Sequence, residues 1–173
     1  MMEVFTLHLP EAVSLTDDQL FYLCEANKEL RIERTSTGEL IIMPPAGGES
    51  SAKNSIITMR LTLWNSIART GIVFDSSGGF TLPNKAMRAP DASWVALERW
   101  QALTDKERKQ FPPLCPDFLI ELMSESDALR TAQEKMQEWM SNGCRLAWLI
   151  NPKTETAYIY RRDKAAETVD TFG

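Results

Sequence analysis

Histidine is almost missing from this sequence, His8 being the one imidazole in 173 residues. Catalytic triads and metal centres that need several imidazoles are thereby excluded. Cysteine is scarce as well. Cys24, Cys115 and Cys144 are odd in number, far apart and without CxxC spacing, which argues against a disulfide framework and against a zinc site. No run of about eighteen apolar residues occurs, and the N-terminus lacks a basic start followed by an apolar stretch. Neither membrane spanning nor secretion is therefore expected, and the cytoplasm is the expected compartment. Repeats, low-complexity tracts and long linkers are also lacking. What remains, at 43% hydrophobic and 25% charged residues, has the composition of one globular domain over residues 1–173. Its chemistry must rest on carboxylates, lysine or hydroxyls.

An excess of basic charge is missing too. The formal net charge is -5, which counts against indiscriminate binding to nucleic acid, because a phosphate backbone rewards clustered Lys and Arg. Distribution is a separate matter. Arg145, Lys153, Arg161, Arg162 and Lys164 gather near the C-terminus with few acids between them. They form either a local basic face or a strand edge kept from aggregating by its charge.

The hydrophobic pattern orders the chain. Residues 16–29 open on Thr16 and two acids and then place Leu20, Leu23 and Cys24 at helical spacing, a short amphipathic helix. LRIER and ELIIMP, joined by TSTG, form a β-hairpin. Residues 49–70 carry Ile57, Leu61, Trp64 and Ala68 on one side with Ile56, Leu63 and Ile67 beside it, the longest helix, ended by Gly71. GIVFDSSGGFTLP gives two short strands around SSGG, and ASWVAL a strand after Pro90. ERWQALTDKERKQ is a surface helix or two short turns, and PDFLIELM a strongly apolar strand. Residues 127–142 form a second marked helix. RLAWLI is a strand buried on both faces, and TAYIYRR an alternating strand at the margin. The order implies a mixed β-sheet flanked by helices.

Two carboxylates sit where strand packing prefers carbon. Glu121 lies in the middle of FLIELM, and an ionised carboxylate in a buried strand costs several kcal/mol unless something neutralises it. Alternation puts it on the face of Asp117, Leu119 and Met123. Asp91 starts the other central strand, directly after Pro90, and the two acids converge if these strands are neighbours. A hard cation such as Mg²⁺ (or Mn²⁺) takes one or two carboxylates, a backbone carbonyl and water, with substrate phosphate completing the shell. Asp91 and Glu121 supply the carboxylates and Leu122 a carbonyl. Lys135, on the helix that follows, borders the packed face next to Met136 and Trp139, where its ammonium would stabilise charge developing on a phosphodiester. Each residue also has an ordinary use. An Asp after Pro commonly caps a turn, and a helix lysine commonly pairs with Glu134 or Glu138.

The segments RAPDASWV, FLIELMSESD and KMQEWMSNGCRLAWLINP, with MPPAGGESSAKNS and FDSSGGFTLPNKAMR, resemble the Uma family of restriction-endonuclease-like proteins, a branch of the PD-(D/E)XK nucleases. The likeness runs from residue 40 to 160. It implies an α/β fold with a restriction-endonuclease-like αβββαβ core, here preceded by an N-terminal helix and hairpin, and a DNA endonuclease activity. The PD acid falls on Asp91 and the (D/E)XK acid on Glu121. Met123 stands where the superfamily pattern has lysine. In the Uma branch that lysine typically comes from the following helix, where Lys135 stands. Glu49 resembles an acid that superfamily members often place near the metal. Gln133 and Gln137 either contact substrate or face water, and with Lys53 they are the candidate substrate contacts. Trp139 occupies a place where the family often has tyrosine.

Two other functions compete. A nucleic-acid-associated or regulatory module with the same fold, not cutting, suits the acidic charge. A serine acyl-transfer enzyme is suggested by the S-x-x-K spacing of Ser50 and Lys53, but no companion motif occurs and Ser50 is accounted for as a helix cap. Trp100 and Phe111, read as exposed, are candidates for a homodimer interface, although packing explains them equally well.

Overall fold

A computed structural model describes residues 4–10 and 12–171. In chain order its elements are β1 (Phe5–Leu7), α1 (Asp17–Ala26), β2 (Arg31–Arg34), β3 (Leu40–Met43), α2 (Gly48–Ala68), β4 (Gly71–Phe74), β5 (Phe80–Thr81) and β6 (Met87–Arg88). They are followed by β7 (Ala92–Ala96), α3 (Leu97–Gln101), α4 (Asp105–Lys109), β8 (Phe118–Leu122), α5 (Leu129–Ser141), β9 (Leu146–Asn151), β10 (Thr156–Arg161) and β11 (Glu167–Asp170). Among the described residues no helix is long and apolar enough to cross a membrane.

Local chemistry sets several boundaries. Thr16 caps α1 by accepting from the Gln19 N–H while the Gln19 side chain accepts from the Thr16 N–H, a reciprocal capping box. The same device, Thr104 with Glu107, starts α4. α2 ends two residues earlier than the sequence suggests. Arg69, at φ 53°, makes the left-handed cap, and Gly71 instead begins β4, where a Cβ would overlap the Trp94 indole and the Val95 carbonyl.

The expected mixed sheet is present, with six strands in the order β11-β10-β9-β8-β7-β4. Its parallel pair is β8 with β9, joined by the α5 crossover, and the other neighbours run antiparallel. Two expectations are corrected. β4 and β5 do not pair with each other. β5 joins β1, β3, β2 and β6 in a second, five-stranded sheet built around the expected hairpin. β10 is not the margin either, because β11 pairs outside it.

α5 lies over β9 and β10, and between helix and sheet Leu119, Val95, Ala147, Leu149 and Tyr160 close on Met136 and Trp139. Both α5 residues are fully buried, so truncating Trp139 to alanine removes about 3–5 kcal/mol of stability. A smaller core, Leu20, Ile32, Leu40 and Met87, joins α1 to the second sheet. α2 packs on β4 and β7 from the opposite side of the central sheet. Trp100 and Phe111 are half-buried rather than exposed, each set edge-on against a phenylalanine, Phe74 and Phe21 respectively.

Candidate active site

β7 runs antiparallel to β8, and the register that pairs Ala92 with Ile120 brings the preceding residue, Asp91, opposite Glu121. Alternation sends both side chains to the face covered by α5. Asp91 is held from two directions. Its Oδ2 accepts the Leu122 N–H at 2.8 Å and its Oδ1 accepts the Asn54 amide at 2.9 Å, with an Arg31 guanidinium nitrogen 3.8 Å away. Both acids are buried, Asp91 at 7% and Glu121 at 9% exposure.

α5 supplies the partners of Glu121. Lys135 and Trp139 stand one turn apart on the same helix face. The Trp139 indole N–H donates to Glu121 Oε1 at 2.9 Å, and Lys135 Nζ lies 3.0 Å from the same oxygen. Glu121 Oε2 has no protein partner among the described residues. The structure therefore brings Asp91, Glu121 and Lys135 to one place, with Leu122 between them through its N–H.

A third acid, not foreseen from the sequence, completes the cluster. Glu33 on β2 is 2% exposed. Its Oε1 accepts the Ala89 N–H at 3.1 Å and lies 3.3 Å from Lys135 Nζ, and its Oε2 accepts from Arg88 at 3.1 Å. Arg88 also donates to Glu138 at 2.7 Å, and Asn84 to the other Glu138 oxygen at 3.0 Å. Lys135 thus pairs with Glu33 and Glu121. Glu134 takes Arg130 as its partner. RIER reads as a hairpin strand, and the approach of α5, through Lys135, together with Arg88 and the Ala89 N–H, encloses Glu33. Its one sequence-level signal is its place in the strand, on the side opposite Ile32. Asn54 and Arg31 were missed for a similar reason, being ordinary surface residue types until the chain folds.

The remaining candidates stay outside this cluster. Glu49 is 88% exposed along its side chain and lies 3.9 Å from Lys53, its neighbour on α2. Gln133 is half-buried and Gln137 exposed. The basic cluster is also apart. Arg161 and Leu146 pair across the strands next to Phe118, at the start of β8, whereas Glu121 lies near its end.

Burial and charge set the protonation states. For Glu33 burial raises the pKa, but Lys135, Arg88, the Ala89 N–H and Arg31 outweigh it and hold the carboxyl below the usual range. For Glu121 burial is again the largest influence and Lys135 opposes it, but Asp91 and Glu33 add repulsion, and the pKa is pushed up to about 7. Burial lowers the pKa of Lys135, yet Glu121 and Glu33 more than compensate and keep its ammonium charged.

A divalent cation fits this chemistry. Among the described residues no cluster of three or more His, Cys, Asp or Glu side chains is disposed to hold a metal alone. Asp91 and Glu121 would instead offer the two carboxylates that a hard divalent cation accepts when other oxygen ligands complete its shell. Glu121, with an unpartnered oxygen and a pKa raised by surplus negative charge, is the group that such a cation would relieve.

The chain matches, over residues 17–172, the Uma2 family described as "Putative restriction endonuclease". It belongs to the Uma2 family. The fold agrees: the crystal structure of "a putative nuclease belonging to DUF820" from Anabaena variabilis ATCC 29413 superposes with a TM-score of 0.73 at 21% identity, over 91% of this chain and 85% of that one. No curated protein matches. The Uma2 chain thus carries a restriction-endonuclease-like fold, with Asp91, Glu121 and Lys135 gathered at one end of β7 and β8.

Proposed function

We propose that this Uma2 protein is a metal-dependent endonuclease that hydrolyses phosphodiester bonds in DNA. The observation that carries the reading is the meeting of Asp91, Glu121 and Lys135 at the shared end of β7 and β8. Asp91, Glu121 and the Leu122 carbonyl would hold Mg²⁺ or Mn²⁺. Bound there, the cation would supply an acidified water and charge neutralisation on the phosphate. Lys135, kept charged by its two carboxylates, would stabilise the negative charge that develops on the scissile phosphate. Trp139 fixes the Glu121 carboxylate, and Asn54 and the Leu122 N–H fix Asp91, so the acids are oriented before substrate arrives.

Cleavage of supercoiled plasmid with Mg²⁺ or Mn²⁺ tests this. Asp91→Ala and Lys135→Ala are each expected to lower the rate about 10²–10³-fold, the usual cost of losing one preorganised charge-stabilising group. Nicking that persists equally in both variants would point to a contaminant and would overturn the proposal. Metal-dependent DNA binding without cleavage would favour the alternative reading, a silent module of the same fold.

A further inference from the structure

α2 is apolar on two sides. One side packs on β4 and β7. The other exposes Ile56 (55%), Met59 (53%), Leu63 (55%), Trp64 (50%) and Ile67 (82%), a ridge at the 3–4 spacing of one helical face. Arg60 is exposed on the same side, and the other large side chains of the ridge are apolar.

Beside this ridge lies an uncovered stretch of sheet. RLAWLI reads as buried on both faces, yet Trp148 in β9 is 37% exposed and Val169 in β11 42% exposed. Both stand on the sheet face opposite α5. Among the described residues α2 is the helix that packs on this face, and it does so over β4 and β7. The next helix position, about 10 Å or two strand spacings farther along, falls over β8 and β9. An aromatic path joins ridge and gap: Trp64 packs edge-on against Trp94 at 5.8 Å, Trp94 and Phe118 are cross-strand partners, and Phe118 packs edge-on against Trp148 at 5.3 Å.

We propose that a second copy of this chain covers this face, the α2 ridge of each copy seated over β8 and β9 of the other about a two-fold axis. The patch contains both a helix-shaped ridge and a helix-wide gap, and a self-complementary patch is what an isologous dimer requires. Area supports the same occupant. Aromatic side chains bury roughly 150–250 Å² each and large aliphatic ones somewhat less, so two tryptophans and five aliphatic side chains at about half exposure offer on the order of 600 Å². That is at the top of the ~300–600 Å² patch common on monomers and within reach of the ~800 Å² per partner of a stable interface. This inference does not depend on the nuclease reading.

Sedimentation of the full chain at tens of micromolar should give twice its 19.6 kDa mass. Leu63→Glu on the ridge and Trp148→Glu in the gap should each weaken association at least tenfold, with circular dichroism melts checking the fold. Tyr22→Glu, at an equally exposed position on α1 (65%), should leave the dimer intact. A monomeric wild type overturns the proposal, including the case where the patch serves another protein or DNA. A dimer broken by Leu63→Glu but not by a folded Trp148→Glu overturns the reciprocal seating.

Discussion

The two faces of the central sheet depart from ordinary patterning in opposite ways. Under α5, where carbon belongs, the chain buries Asp91, Glu121 and, from the second sheet, Glu33. On the α2 side it exposes Trp148 and Val169 of the sheet and, along α2 itself, a row of large apolar side chains. Natural sequences keep such inconsistencies where they serve a purpose. The first face has surplus negative charge, which suits a cation. The second has surplus apolar surface, which suits another protein surface. Each can be tested by removing the group that creates the inconsistency.

The largest effect is expected at Glu33. Alanine there leaves Lys135 and Arg88 beside an emptied, buried site, and stripping one partner from a buried ionic cluster costs about 3–5 kcal/mol. Urea unfolding of Glu33→Ala measures it, and Glu33→Gln, which can still accept the Ala89 N–H, should lose less. A loss below about 1 kcal/mol would show that this face tolerates unpaired charge and would weaken the contrast between the faces.

Glu121 should give the next effect, with opposite sign in pH. Its folded pKa of about 7 lies above the ordinary 4.5. Its contribution is therefore complete below about pH 4.5 and is lost as pH rises through 7, by about 3 kcal/mol in the metal-free chain. Glu33 is held below its ordinary value, so its contribution is present above about pH 4.5 and fails only in stronger acid. Melting curves in EDTA should fall between pH 5 and 8, and Mg²⁺ should restore more at pH 8 than at pH 5. Equal stabilisation by Mg²⁺ at both pH values would separate the metal from Glu121.

Trp139→Phe keeps most of the packing and removes one N–H donor from a buried carboxylate. The expected cost is about 2 kcal/mol near pH 8, where Glu121 is ionised, and less at pH 5. The pH profile of cleavage should move upward as Glu121 becomes harder to ionise. An unchanged profile would reduce Trp139 to a packing residue.

How much of this was legible follows from what each residue depends on. Glu121 stands out in sequence because a carboxylate interrupts an apolar strand, and Lys135 because the following helix has a strong face. Asp91 needs one further fact, that β7 and β8 are neighbours, and the strand pairing supplies it. Glu33 is different. Nothing local marks RIER as buried on both sides, because its second covering layer comes from residues about a hundred positions later. β1, β6 and β11 escaped for a related reason. Short strands take their identity from the sheet that accepts them, and periodicity says little over two to four residues. The reading of RLAWLI as buried on both faces fails at Trp148, which is 37% exposed on the face opposite α5, the face that the proposed second copy would cover.

The smallest expected effect lies on α2, the helix that links the two faces. One side of it carries the exposed ridge, and Asn54, near its start, reaches over the sheet end to Asp91 at 2.9 Å. Glu49, about one turn earlier, points into solvent beside Lys53. Outer partners that orient a metal-binding carboxylate are worth about 10–100-fold in metal affinity or activity. Because the Leu122 N–H still holds the other Asp91 oxygen, Asn54→Ala should fall at the low end, about tenfold. Glu49→Gln should change cleavage less than about twofold, as an exposed i,i+4 pair contributes only a few tenths of a kcal/mol. Titrating Mn²⁺ against cleavage rate in both variants distinguishes the two positions. The reverse ranking, with Glu49 the more damaging, would mean that the start of α2 turns inward when metal binds and that the family's helix acid belongs to the site after all.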